Sequence, residues 1–165
     1  MTGLPDAVRA LAELSPLEDL ILAILQPRLT GVEVKTLIRA DQDFPLVLIR
    51  RGDNFGTWAG DMRFTDAAQL NVHCFCADPD GDEDAAILSE AVRVILRDAW
   101  LTSLVIPGRG HLLHLEMQSA PRRATDWATA TGPVQYADLP TGVHRYETRF
   151  NVAIRKPRTR PYPPP

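Results

Sequence analysis

The one histidine–cysteine cluster in the chain is His73-Cys74-Phe75-Cys76, and its spacing does not suit the chemistry those side chains would do. Zinc takes four ligands. On a strand, alternation sends Cys74 and Cys76 to one face and His73 to the other. No CxxC pair or HxxxH helix elsewhere supplies the missing ligands. Two cysteines two residues apart on a strand are also badly placed to bridge each other, so they read as buried free thiols in a reducing compartment.

The other polar clusters end the same way. Asp78-Pro79-Asp80-Gly81-Asp82-Glu83-Asp84 has the carboxylate density of a calcium loop. Its glycine, however, stands fourth rather than sixth, and Ser89 occupies the twelfth position, where a bidentate glutamate belongs. It reads as a solvated turn opening a helix, with acids in the first turn complementing the helix dipole. His111 and His114, three apart on a strand, are expected on opposite faces. Neither Ser103 nor Ser119 lies in a G-x-S-x-G signature, and Gly108-Arg109-Gly110 is too short for a phosphate loop and lacks the Lys-Ser/Thr that would follow. No catalytic, cofactor or metal-binding set emerges, and a non-enzymatic role is expected.

The elements that would hold these residues follow from periodicity. A short helix is expected over 6–14. A stronger one follows, with Ser15 as cap, Pro16 in the first helical position and Glu18 completing a capping box. It runs to about Gln26 on a stripe of Leu17, Leu20, Ile21 and Ile24. Val32, Val34, Thr36 and Ile38 alternate with Glu33, Lys35 and Leu37 as on a half-buried strand. Leu46 to Ile49 is a short apolar run suited to burial on both faces, with 40–45 as the turn before it and 52–60 as a loop after it. A strand over 69–77 places Leu70, Val72, Cys74 and Cys76 on one face and Asn71, His73 and Phe75 on the other. Leu88, Ala91, Val92, Ile95, Leu96 and Ala99 mark the strongest helix, with Arg93 and Arg97 on its polar side.

A strand is expected over 111–118, then a long loop over 119–142, then a strand over 143–156. On the last, Tyr146, Thr148, Phe150, Val152 and Ile154 oppose Arg145, Glu147, Arg149 and Asn151. The expected fold is α+β: a mostly antiparallel sheet of four to five strands covered by two main helices. Residues 1–156 form one domain containing the 119–142 loop, and 157–165 form an extended Pro/Arg-rich tail.

With 165 residues the chain is long enough to bury a real core. The longest apolar run, Leu20 to Leu25, is far short of the roughly 18 residues that span a bilayer. No secretory signal is visible at the start, so a cytoplasmic site of synthesis is expected. The net charge of −3 conceals an asymmetry. Arg155, Lys156, Arg158 and Arg160 lie in the last eleven residues, which contain no acid; the body without them carries about −7 by formal counting. That balance argues against a sequence-specific DNA-binding domain. Two groups of residues remain without a structural role. The basic tail has three readings: a disordered end, an arm that orders against a neighbouring subunit with Tyr162 as anchor and the arginines on carboxylates, or a phosphate contact with DNA passing nearby. In the 119–142 loop, Trp127, Val134, Tyr136 and Leu139 suit an interface.

Several stretches taken together carry a resemblance. They are Asp43-Phe44-Pro45-Leu46-Val47-Leu48-Ile49-Arg50-Arg51-Gly52, then Asp66-Ala67-Ala68-Gln69-Leu70-Asn71-Val72-His73-Cys74-Phe75-Cys76-Ala77, then Ala91-Val92-Arg93 in an alanine-rich helix, and finally Pro140-Thr141-Gly142-Val143-His144-Arg145-Tyr146. In order and spacing they resemble the tail terminator proteins of long-tailed, siphovirus-type phages of actinobacteria, over residues 15–156 but not the Pro-rich end. The resemblance implies an α+β sandwich without catalytic residues or cofactor. It implies a hexameric ring at the head-proximal end of the virion tail, assembled in the host cytoplasm. That ring stops polymerisation of the tail tube protein and receives the head–tail connector, while DNA passes through its lumen without specific binding. Rival readings are another head–tail joining protein, such as a connector stopper or adaptor, and a small cytoplasmic metal-binding protein or enzyme using His73, Cys74 and Cys76.

Deleting 157–165 is expected to weaken assembly and leave the monomer folded, because this segment cannot join a core. Circular dichroism and sizing of the truncated chain check it; loss of the folded signal would contradict it.

Overall fold

The computed structural model describes residues 5–9, 16–38, 41–52, 64–124 and 142–155. In chain order its elements are α1 (Asp6–Arg9), α2 (Leu17–Leu25), β1 (Glu33–Lys35), β2 (Leu46–Arg51), β3 (Thr65–Ala77), α3 (Gly81–Leu101), β4 (His111–Arg123) and β5 (Val143–Arg155). The strands form one sheet in the order β1-β2-β3-β5-β4. Only β1 and β2 run parallel; the other three pairings are antiparallel. This is the expected α+β architecture, with α2 and α3 as the two substantial helices.

Alternation decides which side the helices cover. On β3 and β5 the even-numbered residues Leu70, Val72, Cys74, Phe150, Val152 and Ile154 are almost fully buried. They form one core with Leu17, Leu20, Ile21 and Ile24 of α2 and Leu88, Val92, Leu96 and Ala99 of α3. The helical stripe at i, i+3, i+4 spacing meets the period-2 face of the sheet, and each supplies what the other needs to exclude water. On the outer side of α3, Arg93 pairs with Glu90 and Arg97 with Asp98.

α3 stops at a Schellman motif. The Ser103 N–H donates to the Trp100 carbonyl and the Leu104 N–H to the Ala99 carbonyl, which leaves Ser103 in the left-handed region at φ +48°. Glycine usually takes that place, since any Cβ there is crowded. At the start of α2, Pro16 lies just before the helix in an extended conformation, not in its first turn as expected, and no side chain caps it; Ser15 is outside the described residues. Of the 6–14 helix, 6–9 is helical and the remainder lies outside the described residues.

Three further expectations need correction. The strand expected over 32–38 is only Glu33–Lys35, because its parallel pairing with β2 ends at Lys35 opposite Leu48 and the chain bends at Thr36 and Leu37. The strands expected over 69–77 and 111–118 are longer, Thr65–Ala77 and His111–Arg123. Residues 119–123, expected as loop, therefore belong to β4, which finds partners on β5 from Arg155 to Tyr146 by absorbing irregularities at three register shifts. The third correction follows from the first of those shifts. His111 lies opposite Arg155 and His114 opposite Ala153, so the extra residue between them brings both histidines to one face. The 46–49 run is as expected: Leu46, Val47, Leu48 and Ile49 have no exposed surface. Val47 and Ile49 join the main core, while Leu46 and Leu48 pack with Phe75 in a second cluster beneath Phe44 and Val143.

Replacing Leu96 with alanine should cost about 2–5 kcal/mol by opening a cavity under the sheet, whereas Ser103→Gly should gain up to about 1 kcal/mol by relieving the left-handed residue. Urea denaturation of both variants checks the pair; a neutral Leu96→Ala would mean that α3 is not anchored as described.

Candidate functional site

The residues with the greatest chemical potential are separated by the sheet. Cys74 and Cys76 are free and point into the helix-covered core. Burial raises both thiols, Cys74 strongly and Cys76 to about 11, so neither offers a thiolate near neutral pH. His73 points the opposite way. Among the described residues no group of three or more His, Cys, Asp or Glu side chains is arranged to hold a metal ion.

His73 belongs instead to the face of the sheet that carries neither α2 nor α3. The registers align three rungs there. Arg50, Asn71, Arg149 and Ser119 form one, Lys35, Leu48, His73, Glu147 and Arg122 the next, and Glu33, Leu46, Phe75 and Arg145 the third. On the two central strands of this face Glu147 is the one carboxylate among the described residues, flanked by Arg149 and Arg122, while Glu33 and Glu116 stand on the outer strands of the same face. Glu147 is 8% exposed and Arg145 5%, which is unusual for charged groups and demands partners. Glu147 accepts from Arg149 Nε at 2.8 Å and lies 2.7 Å from Arg149 Nη2 and 3.5 Å from Arg122 Nη2. Burial would raise its pKa, yet these guanidiniums hold the carboxyl below its usual range. Burial and then the nearby Arg145 lower the His73 imidazole to about 4, against a smaller pull from Glu147.

A second, opposite charge concentration lies where β3 turns into α3. Gly81 opens the helix with no room for a side chain: an added Cβ would stand 2.9 Å from both the Cys76 carbonyl oxygen and His144 Cδ2. This close approach lets His144 Nε2 reach Asp78 at 3.0 Å, while Arg123 Nε meets Asp82 at 3.0 Å. Asp80, Glu83 and Asp84 sit beside them with no ion pair among the described residues.

Next to this acidic corner is an open groove of about 410 Å³ between α3 and the segment leading into β2. Phe44, Pro45, Ile87 and Leu88 line it, with Asp78 and Asp84 at its rim. Ile87 is 60% exposed there.

Of the residues singled out from sequence, Arg155 ends β5 exposed, opposite Thr65 on one side and His111 on the other. Trp127, Val134, Tyr136, Leu139, Lys156, Arg158, Arg160 and Tyr162 lie outside the described residues. Sequence reasoning put Arg145, Glu147 and Arg149 on the face away from the core without recognising them as a site. The Arg-x-Glu-x-Arg alternation was the available signal. Ile87 bordering the α3 stripe was the signal for the groove. No helix among the described residues is long and apolar enough to cross a membrane. No family model matches the chain, and no curated protein matches it in sequence.

Acid should expose the cost of the buried polar face. With His73 lowered to about 4 from 6.5, the unfolded chain binds more protons between those values. The stabilisation from neutral His73 is therefore full above pH 6.5 and fades as pH falls toward 4, by on the order of 3 kcal/mol. Protonation of Glu147 acts in the same direction. Urea titrations at pH 7 and pH 4.5 should show a steeper loss for wild type than for His73→Gln; equal losses would contradict the burial of the imidazole.

Proposed function

We propose that this chain is the subunit of a ring that ends the tail tube of a long-tailed phage: a tail terminator, which stops tube growth and presents the surface that the head connector meets. The observation that carries the reading is the segregation of charge onto two separate surfaces of one small domain. Arg122 and Arg149 hold exposed guanidiniums on the sheet face away from the helices, whereas Asp80, Glu83 and Asp84, without an ion pair among the described residues, stand at the start of α3, on the helix-covered side. A chain with two different, complementary surfaces associates head to tail, and a head-to-tail contact that closes makes a ring.

Two further features support it. β4 is an outer strand of thirteen residues with mostly exposed or half-exposed side chains, the kind of edge that isolated proteins blunt and assemblies use. Its register shifts and Pro121 limit indiscriminate strand addition. The excess of acid over base in the rest of the chain suits a lumen that lets DNA pass without gripping it, because like charges repel the phosphates. The order of the four sequence stretches that resemble tail terminators adds the specific identity of the ring.

Phage grown without this chain should accumulate tailless heads and tail tubes of uncontrolled, excessive length, as seen by negative-stain microscopy. Tubes of normal length waiting beside unjoined heads would favour a stopper or adaptor instead, and fully assembled virions would overturn both.

A further inference from the structure

We infer that the groove between α3 and the segment entering β2 receives the basic, proline-rich tail of a second copy of this chain, with Tyr162 in the apolar floor and Arg158 and Arg160 against the acidic rim. The inference rests on the ring reading above and supplies one of its contacts.

The groove's chemistry selects the occupant. Its floor is apolar and includes one aromatic and one proline, Phe44 and Pro45, and its rim carries Asp78 and Asp84. Asp78 is engaged by His144, but Asp84 has no ion-pair partner among the described residues. Asp80 and Glu83 deepen the negative potential alongside. Such a surface fits an extended segment that combines an amphipathic ring, prolines and guanidiniums. Prolines in an occupant reduce the ordering cost of binding in an extended form. The sequence Arg155-Lys156-Pro157-Arg158-Thr159-Arg160-Pro161-Tyr162 has these properties and no acid.

Distance selects a second copy over the chain's own tail. The groove includes Cys76 and Ala77, at the end of β3 that pairs with Val143. The tail leaves from Arg155, which pairs with Thr65 at the far end of the same two strands. Twelve residue steps along β5 separate those ends by about 40 Å. Seven residues carry the chain from Arg155 to Tyr162, and fully extended they reach no more than about 25 Å. Tyr162 therefore cannot enter its own groove. Each copy would give a tail to one neighbour and take one from the other, the head-to-tail pattern that a ring needs.

The test is a fluorescence-anisotropy titration of a labelled synthetic peptide spanning residues 155–162 with the full-length chain, with Ile87→Glu and with Asp84→Arg. Both side chains are exposed, so the variants should fold, and circular dichroism confirms that they have. Saturable binding to wild type, at least tenfold weaker to each folded variant and to a peptide with Tyr162→Ala, is the expected result. No binding, or binding indifferent to both groove substitutions, overturns the inference. Ring formation is scored separately by cross-linking. Rings that persist in Asp84→Arg with no peptide binding discard the groove contact and leave the ring reading standing. Peptide binding in a chain absent from virion tails keeps the contact and discards the terminator.

Discussion

Two strands of thirteen residues, Thr65–Ala77 and Val143–Arg155, pair along their whole length without a register shift. Because side chains alternate strictly across such a ladder, this one pairing sorts the centre of the sheet into an apolar face and a polar face. Val72, Cys74, Phe150 and Val152 have nowhere to go but under the helices, and His73, Arg145, Glu147 and Arg149 nowhere but the other side. A slip of one residue would exchange the two sets. The two helices bury their stripes against the first face, and the second is left to satisfy its charges laterally. The arginine–glutamate array is thus the obligate reverse side of the hydrophobic core.

What was legible in the sequence follows the same physics. The stripe on α3, the alternation on β3 and β5 and the four-residue apolar run of β2 were readable because each is a local period matched to a local geometry. The extent of β4 was not readable. Its strand character past Gln118 depends on β5 being there to pair with it, and its register shifts change the side a residue faces without leaving a local signature. His111 and His114 show the consequence, being on one face where strict alternation would separate them. The truncation of β1 has a similar origin, since Val32 to Ile38 alternates well but runs alongside β2 for only three residues. Burial of Arg145 and Glu147 escaped local reading too, because alternation assigns a face and says nothing about how deeply it is covered.

The polar residues at the centre of the sheet are each held in one protonation state. The thiols are held protonated in the core, the imidazole is held neutral, and Glu147 is held ionised by arginines that also fix its position. The two guanidiniums that share this one carboxylate, Arg122 and Arg149, are exposed and leave an excess of positive charge suited to meeting negative charge. Its opposite number stands on the same molecule, in the free carboxylates at the start of α3 and the groove beside them. That combination of two unlike surfaces, each incomplete alone, is what a head-to-tail ring subunit requires.

The central claim is that both surfaces are covered by neighbouring copies in a closed ring at the head-proximal end of a phage tail. Reconstruction of that end of the virion by cryo-electron microscopy tests it directly. The account predicts a ring of six copies directly on the last layer of tube subunits. In it, the exposed Arg122 and Arg149 of the sheet face and the groove at Ile87 would each be buried against an adjacent copy. A density for this chain at the portal, or a ring in which both surfaces face solvent, would contradict it.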